Sequence, residues 1–348
     1  MSIVVQAEVP LKEHIETWRR YTFLGFWLLS TVALGWQVAQ ERYTFDSQPT
    51  VPALLALLFC TASLLWWLAG SASDAPTYTT RTRHGRFVLV VILAVGVLFA
   101  LRAFIGPPLL FALPVLGLVV LALLRPRLSR QELVYALLLA LVAGVAGLGA
   151  GWVTFSPLTW AALQVVLVLV SLLAGWSLLC RTGLWQADIG PSLLLTAGPV
   201  PALCGFARGV LVAVPWAFGL VVLGAANQET WVQSWWQPLT AIQPGISEEA
   251  WGRVLLVPLF FLVLRLVALG RTALTSAVII MAYWFAFLHT SGGSEAIVST
   301  VMIGTLFALP TFYLWLRRGL ETAIGFHFWL DFVKFVVAYL LNHGLWLS

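Results

Sequence analysis

Charge is what this chain has least of. Only 9% of its 348 residues are Asp, Glu, Lys or Arg, and 61% are hydrophobic. A soluble domain carries about 25% charged residues, so too little polar surface remains to cover a soluble globule of this length. Cysteine is also scarce. Cys60, Cys180 and Cys204 all lie in apolar stretches, without the spacing of a disulfide framework or a metal site; they read as small packing residues. The zinc-protease pattern His-Glu-x-x-His is absent. No internal repeat of 20–50 residues is visible, and no polar stretch is long enough to form a separate soluble domain. Nothing resembles a cleavable signal peptide. The first apolar run follows a charged start and reads as an uncleaved anchor.

Hydrocarbon is abundant instead. The mean hydropathy is +0.95, and apolar runs recur at close to the 20 residues that cross a bilayer core. Eighteen tryptophans suit interfacial belts. The expected fold class is therefore all-α, a polytopic transmembrane helical bundle. About eleven spans can be drawn, over 21–40, 51–70, 88–104, 107–124, 133–153, 160–180, 209–225, 247–269, 272–290, 297–316 and 321–341. The stretch 190–208 is broken by Pro and Gly and reads as re-entrant or interfacial. In the fifth span Ala143, Gly147 and Gly151 recur at four-residue spacing, which lets helix backbones approach closely.

The net charge of +5 is not a nucleic-acid signature here, because the basic residues sit in short loops. Lys12, Arg19 and Arg20 precede the first span. Arg81, Arg83 and Arg86 follow the second, and Arg125, Arg127 and Arg130 the fourth. Arg181, Arg271, Arg317 and Arg318 follow the sixth, eighth and tenth, whereas the alternate loops hold only Arg42 and Arg102. The positive-inside rule then places the N-terminus in the cytoplasm. The expected location is the cell membrane, as a multi-pass integral protein with the bilayer as one partner and no nucleic acid.

Ionisable residues at membrane depth are confined to the last third: Glu248, Glu249, Arg253, Arg265, His289, His327, Asp331 and Lys334. Each buried charge costs roughly 2.5–3.5 kcal/mol on insertion scales, so such a cluster needs a reason. Taken alone, "SEEAWGR" reads as a capped helix start, with Ser247 as N-cap and two carboxylates in the first turn. Glu249 and Arg253 form an i, i+4 pair with the acid first. Glu248 has no basic partner at i+4, where Gly252 stands, and a carboxylate so placed suits a general base. Phe285 can pack under His289 at i+4. His327 and Asp331 share one face of the last span; alone they read equally as a hydrogen bond between helices.

Together, Glu-Glu-x-x-x-Arg, Phe-x-x-x-His and His-x-x-x-Asp, in that order on three membrane helices, resemble the three motifs of the CAAX protease and bacteriocin-processing family (CPBP or Abi) of intramembrane glutamic endopeptidases. The resemblance covers about residues 245–345. It divides the chain into an N-terminal multi-span extension over 1–190 and a catalytic helical core over 191–348. It implies cleavage of a peptide bond in a membrane-embedded or lipid-anchored protein or peptide, without a cofactor. By the resemblance, Glu248 would activate water and His289 would hold that water. Glu249 and Arg253 would support the site, and His327 and Asp331 would stabilise the oxyanion. Members that process CAAX tails carry Asn at the last position. Asp331 departs from that, and it is expected to accept from His327 and make that ring the donor. Two alternatives stay open. Glu248, His289 and His327 would serve as the three protein ligands of a catalytic zinc, and intramembrane ionisable residues also mark a transporter's relay.

The residue levels conflict in this reading. Glu248 and His289 fall near one end of their spans and His327 near the other end of its own, a mismatch of about 10–15 Å at 1.5 Å per residue.

Overall fold

The computed structural model describes residues 8–40, 51–70, 107–150, 155–184, 190, 192–266, 268, 270–290 and 296–345. Among these the chain is helical, with no strand. The helices are α1 (Glu8–Gln40), α2 (Val51–Gly70), α3 (Pro107–Leu124), α4 (Arg130–Gly147), α5 (Pro157–Thr182), α6 (Pro199–Val222), α7 (Ile242–Glu248), α8 (Leu256–Leu264), α9 (Gly270–Leu288), α10 (Ala296–Ile303), α11 (Leu309–Arg318) and α12 (Leu320–Asn342). A four-residue turn, Leu193–Thr196, precedes α6, and π-helical segments join α7 to α8 (Glu249–Leu255) and α10 to α11 (Gly304–Ala308).

Among the described residues, six helical stretches are long and apolar enough to cross a membrane: Arg130–Gly147, Pro157–Thr182, Pro199–Val222, Gly270–Leu288, Ala296–Arg318 (α10, the π segment and α11) and Leu320–Asn342. The protein is thus a helical bundle of multi-pass type, and the expected count of about eleven is larger than these six. The apolar stretches of α2 and α3 are shorter, Pro52–Leu68 and Phe111–Leu124, and the expected span 88–104 lies outside the described residues.

Local chemistry sets the helix limits. Ser129 caps α4 through a reciprocal pair of bonds with Glu132, a capping box. Ser156 caps α5, with Pro157 at its first position, and Gly183 ends it in the left-handed region at φ 77°. Two expectations are corrected. The broken stretch 190–208 is neither re-entrant nor irregular after Gly198. Pro199 and Pro201 fall in the first turn of α6, where a missing N–H costs nothing, so the span expected at 209–225 starts ten residues earlier, at Pro199. Ser247 caps nothing. The helix that carries the Glu pair begins at Ile242, out of the 3-10 turn Gln237–Ala241, and Ser247 accepts from Gln243 Nε2 at 2.9 Å inside it.

α5 lies in the larger core, packed against α3, α4 and the Glu249–Leu255 segment. Ala143 and Gly147 are buried at the α4–α5 contact, where Gly147 meets the Trp160 ring; Gly151 lies outside the described residues. α12 packs along α6, and α1 and α2 lie against α6 as well. The α6–α12 crossing is backbone to backbone. A Cβ at Gly209 would collide with the Thr322 carbonyl, and one at Gly325 with the Phe206 carbonyl. Small residues at such a crossing permit close approach, and this crossing fixes α12 two residues before His327.

Candidate active site

The Glu pair sits where the helix changes pitch. Pro258 lacks the N–H that would bond the Val254 carbonyl, and its ring crowds that turn. The turn before it is the π segment Glu249–Leu255. The second π segment, Gly304–Ala308, also runs into a proline, Pro310. Single π turns in α-helices are frequent at functional sites.

Glu249 and Arg253 form the closed side of the site. Arg253 Nη1 is 2.9 Å from Glu249 Oε1, and the two side chains are 1% and 0% exposed. The guanidinium lies over the Phe285 ring at 4.5 Å and the Phe312 ring at 4.3 Å, a cation–π arrangement that suits a delocalised cation away from water. The same Glu249 Oε1 accepts from His327 Nδ1 at 2.8 Å. One buried carboxylate oxygen therefore joins the π segment to α12.

Glu248 is on the open side. Its side chain is 21% exposed, against 41% for His289. Its Oε2 lies 3.5 Å from His289 Nε2 and 3.6 Å from His327 Nε2, and within the described residues that oxygen has no hydrogen-bond partner. His289 Nδ1 donates to the Phe285 carbonyl at 2.8 Å. A carbonyl only accepts, so this bond assigns the proton to Nδ1 and leaves Nε2 of the neutral ring as an acceptor. Phe285 stacks on His289 with ring centres 4.4 Å apart and meets His327 edge-on at 6.1 Å. Trp251 packs on Phe285 and on Trp284.

All seven residues singled out from the sequence meet here: Glu248, Glu249, Arg253, Phe285, His289, His327 and Asp331. The 10–15 Å conflict of levels is thus removed, because α7 starts earlier than drawn and α12 is set by its glycine crossing with α6. The orientation of His327 differs in detail from expectation. Asp331 Oδ2 stands 3.5 Å from Nε2, whereas Glu249 holds Nδ1 at 2.8 Å. Asp331 is closer to Lys334 Nζ, at 3.0 Å. Arg265 takes no part; its Nη1 reaches the Thr182 carbonyl at 3.5 Å, at the far end of α8.

Three groups next to the site had no sequence role assigned. Phe312 comes from another helix and carries no local signal. Lys334 does carry one, since it follows Asp331 at i+3. Glu229, 3.0 Å from Lys334 Nζ, is remote in sequence. Beside the Glu pair lies a neutral buried cluster, in which Gln243 Nε2 also donates to Gln164 Oε1 at 3.1 Å. Among the described residues, no group of three or more His, Cys, Asp or Glu side chains has a metal-holding arrangement. Comparison with protein-family models, with curated proteins and with solved structures finds no match to this chain.

Proposed function

We propose that this protein is an intramembrane endopeptidase of the glutamic type, using Glu248 to activate water against a peptide bond of a membrane-embedded or lipid-anchored substrate. The observation that carries the reading is the convergence of His289 Nε2 and His327 Nε2 on one unpartnered carboxylate oxygen of Glu248, from three separate helices. The ordered motif resemblance to CPBP proteases supports it.

With its Nδ1–H donating to the Phe285 carbonyl, His289 acts in this reading as the neutral ring, so that its Nε2 and Glu248 Oε2, 3.5 Å apart, are both acceptors. A water that donates to both satisfies both, and it is then held for deprotonation by the carboxylate. Its oxygen adds to the substrate carbonyl, and the proton passes to Glu248. His327 Nδ1–H is committed to Glu249, so a donor at Nε2 requires the imidazolium. Glu249, Glu248 and Asp331 all face that ring, which acts in this reading as the imidazolium. Nε2–H then donates to the oxyanion of the tetrahedral intermediate. When the C–N bond breaks, Glu248 returns its proton to the leaving amine. Arg253 compensates Glu249 in a setting where an unpaired buried charge would cost several kcal/mol.

The test is product analysis. Membranes carrying the wild-type chain are compared by mass spectrometry with membranes carrying Glu248→Gln. A fragment pair found only with wild type supports the reading and names the substrate and bond. Dialysis against a strong chelator is expected to leave that cleavage unchanged. One tightly bound zinc per chain, with cleavage tracking its content, would move the site to the metalloprotease class.

A further inference from the structure

Lys334 lies one turn beyond Asp331 on α12. Its Nζ is 3.0 Å from Asp331 Oδ1 and 3.0 Å from Glu229 Oε1. Glu229 belongs to the connection that leaves α6 and leads through Gln237–Ala241 into α7, the helix of Glu248. Its second oxygen accepts from Trp231 Nε1 at 2.6 Å, and the Trp231 ring meets Phe335 edge-on at 5.0 Å. Further along α12, Asn342 Nδ2 donates to the Glu229 carbonyl at 3.2 Å and to the Val232 carbonyl at 2.8 Å. Thus α12 grips this connection with Lys334, Phe335 and Asn342. Its other contact runs inward, since the second oxygen of Asp331 faces His327 Nε2.

The charges explain why a cation is needed there. Asp331 shares His327 with two other carboxylates, Glu248 and Glu249. Without a counter-charge of its own it would turn away from them. A lysine is a point charge on a flexible stem, and one carboxylate alone leaves it a choice of rotamers. Two carboxylates, one on its own helix and one on the facing connection, define its place.

We infer that Lys334 is a positioning residue. Held by Glu229, it pins Asp331 against His327 and so couples the α6–α7 connection to the geometry of the site. Its catalytic consequence rests on the peptidase reading above, whereas the positioning itself does not.

The experiment uses the full chain in lipid nanodiscs with ¹⁵N-labelled histidine. The ring resonances of His327 are identified by their loss in His327→Gln. Lys334→Met is expected to shift them, and Lys334→Arg to return them toward wild type. In the Asp331→Asn background, Lys334→Met is expected to add no further shift, because no carboxylate remains at 331 to be pinned. That background also carries the test if Lys334→Met alone fails to fold. Unchanged resonances in Lys334→Met, or an equal shift with Asn at 331, would overturn the inference. The Glu248-dependent fragment pair is followed in the same variants. Its rate of formation is expected to fall about 10- to 100-fold in Lys334→Met, the scale of a small misplacement, and to recover in Lys334→Arg. If wild type yields no such fragments, the peptidase reading fails, while the resonances still decide the role of Lys334.

Discussion

α5 and α12 are similar in length, 26 and 23 residues, and both are long and apolar enough to cross a membrane. They differ in how they satisfy polar atoms. Apart from Arg181 in its last turn, α5 carries neutral polar groups, and two of them bond its own backbone. Ser177 Oγ donates to the Leu173 carbonyl at 2.6 Å and Thr182 Oγ1 to the Leu178 carbonyl at 2.8 Å. Gln164 reaches out, to Gln243, and Ser171 Oγ has no hydrogen-bond partner among the described residues. α12 carries ionisable groups that pair along the helix, at His327–Asp331 and Asp331–Lys334, and that also reach partners on other elements. Glu321 accepts from Ser192 Oγ and from the backbone N–H groups of Leu193 and Leu194. His327 donates to Glu249, and Lys334 reaches Glu229. A helix satisfied from within can serve as a spacer whose neighbours need only fit its shape. A helix satisfied from outside has its depth and rotation fixed by particular partners. The difference sets the ionisable cluster at α12 apart from the apolar packing around α5.

The largest effect expected from breaking that contrast is at the buried pair. Arg253→Leu leaves Glu249 uncompensated in the core and is expected to cost about 3–5 kcal/mol of stability. The check is a lower midpoint in a detergent unfolding series, together with a smaller folded yield. Glu249→Gln should also destabilise, because it removes the charge that faces both Arg253 and His327.

Next comes the donor itself. His327→Ala is expected to lose about 2.7–4 kcal/mol of transition-state stabilisation, the scale of one oxyanion donor. Asp331→Ala should approach that loss and Asp331→Asn should fall well short of it, since Asn needs no counter-charge and can donate. The double variant His327→Ala/Asp331→Ala should be little worse than either single, because the pair acts as a unit. Rates of formation of the Glu248-dependent fragments measure this, and fully additive losses would separate the two residues.

The smallest effect is expected on the α5 side. Leu172→Met, in the core that α5 shares with the π segment, conserves volume and should cost less than about 1.5 kcal/mol. Fragment formation should not change. A site-like loss of cleavage from so distant an apolar swap would break the contrast between the two helices.

The sequence made one side of this contrast easy to read. Eight ionisable residues in a hydrocarbon background stand out by cost alone, and the three spaced motifs joined seven residues that the fold brings together. Helical class followed from the apolar runs. Boundaries were harder, because they turn on proline placement. Pro199 and Pro201 open α6 rather than interrupt it, and the helix of the Glu pair starts before Ser247 instead of at it. Relative depth was illegible for a different reason, since it depends on the Gly209–Gly325 crossing, where backbones far apart in sequence touch. Phe312 and Glu229 left no trace, because their roles come from contact between distant segments. Lys334 did leave one, three residues after Asp331, but its meaning required Glu229.

The account turns on Glu248 as the base and Glu249 as its buried support. The direct measurement is Glu248→Gln in the full-length chain, with fragment formation and unfolding midpoint read on the same preparation. A midpoint close to wild type is expected, with fragment formation lowered by about 10²–10⁴-fold, the range for loss of a general base. Cleavage that persists in a folded Glu248→Gln protein would contradict the account.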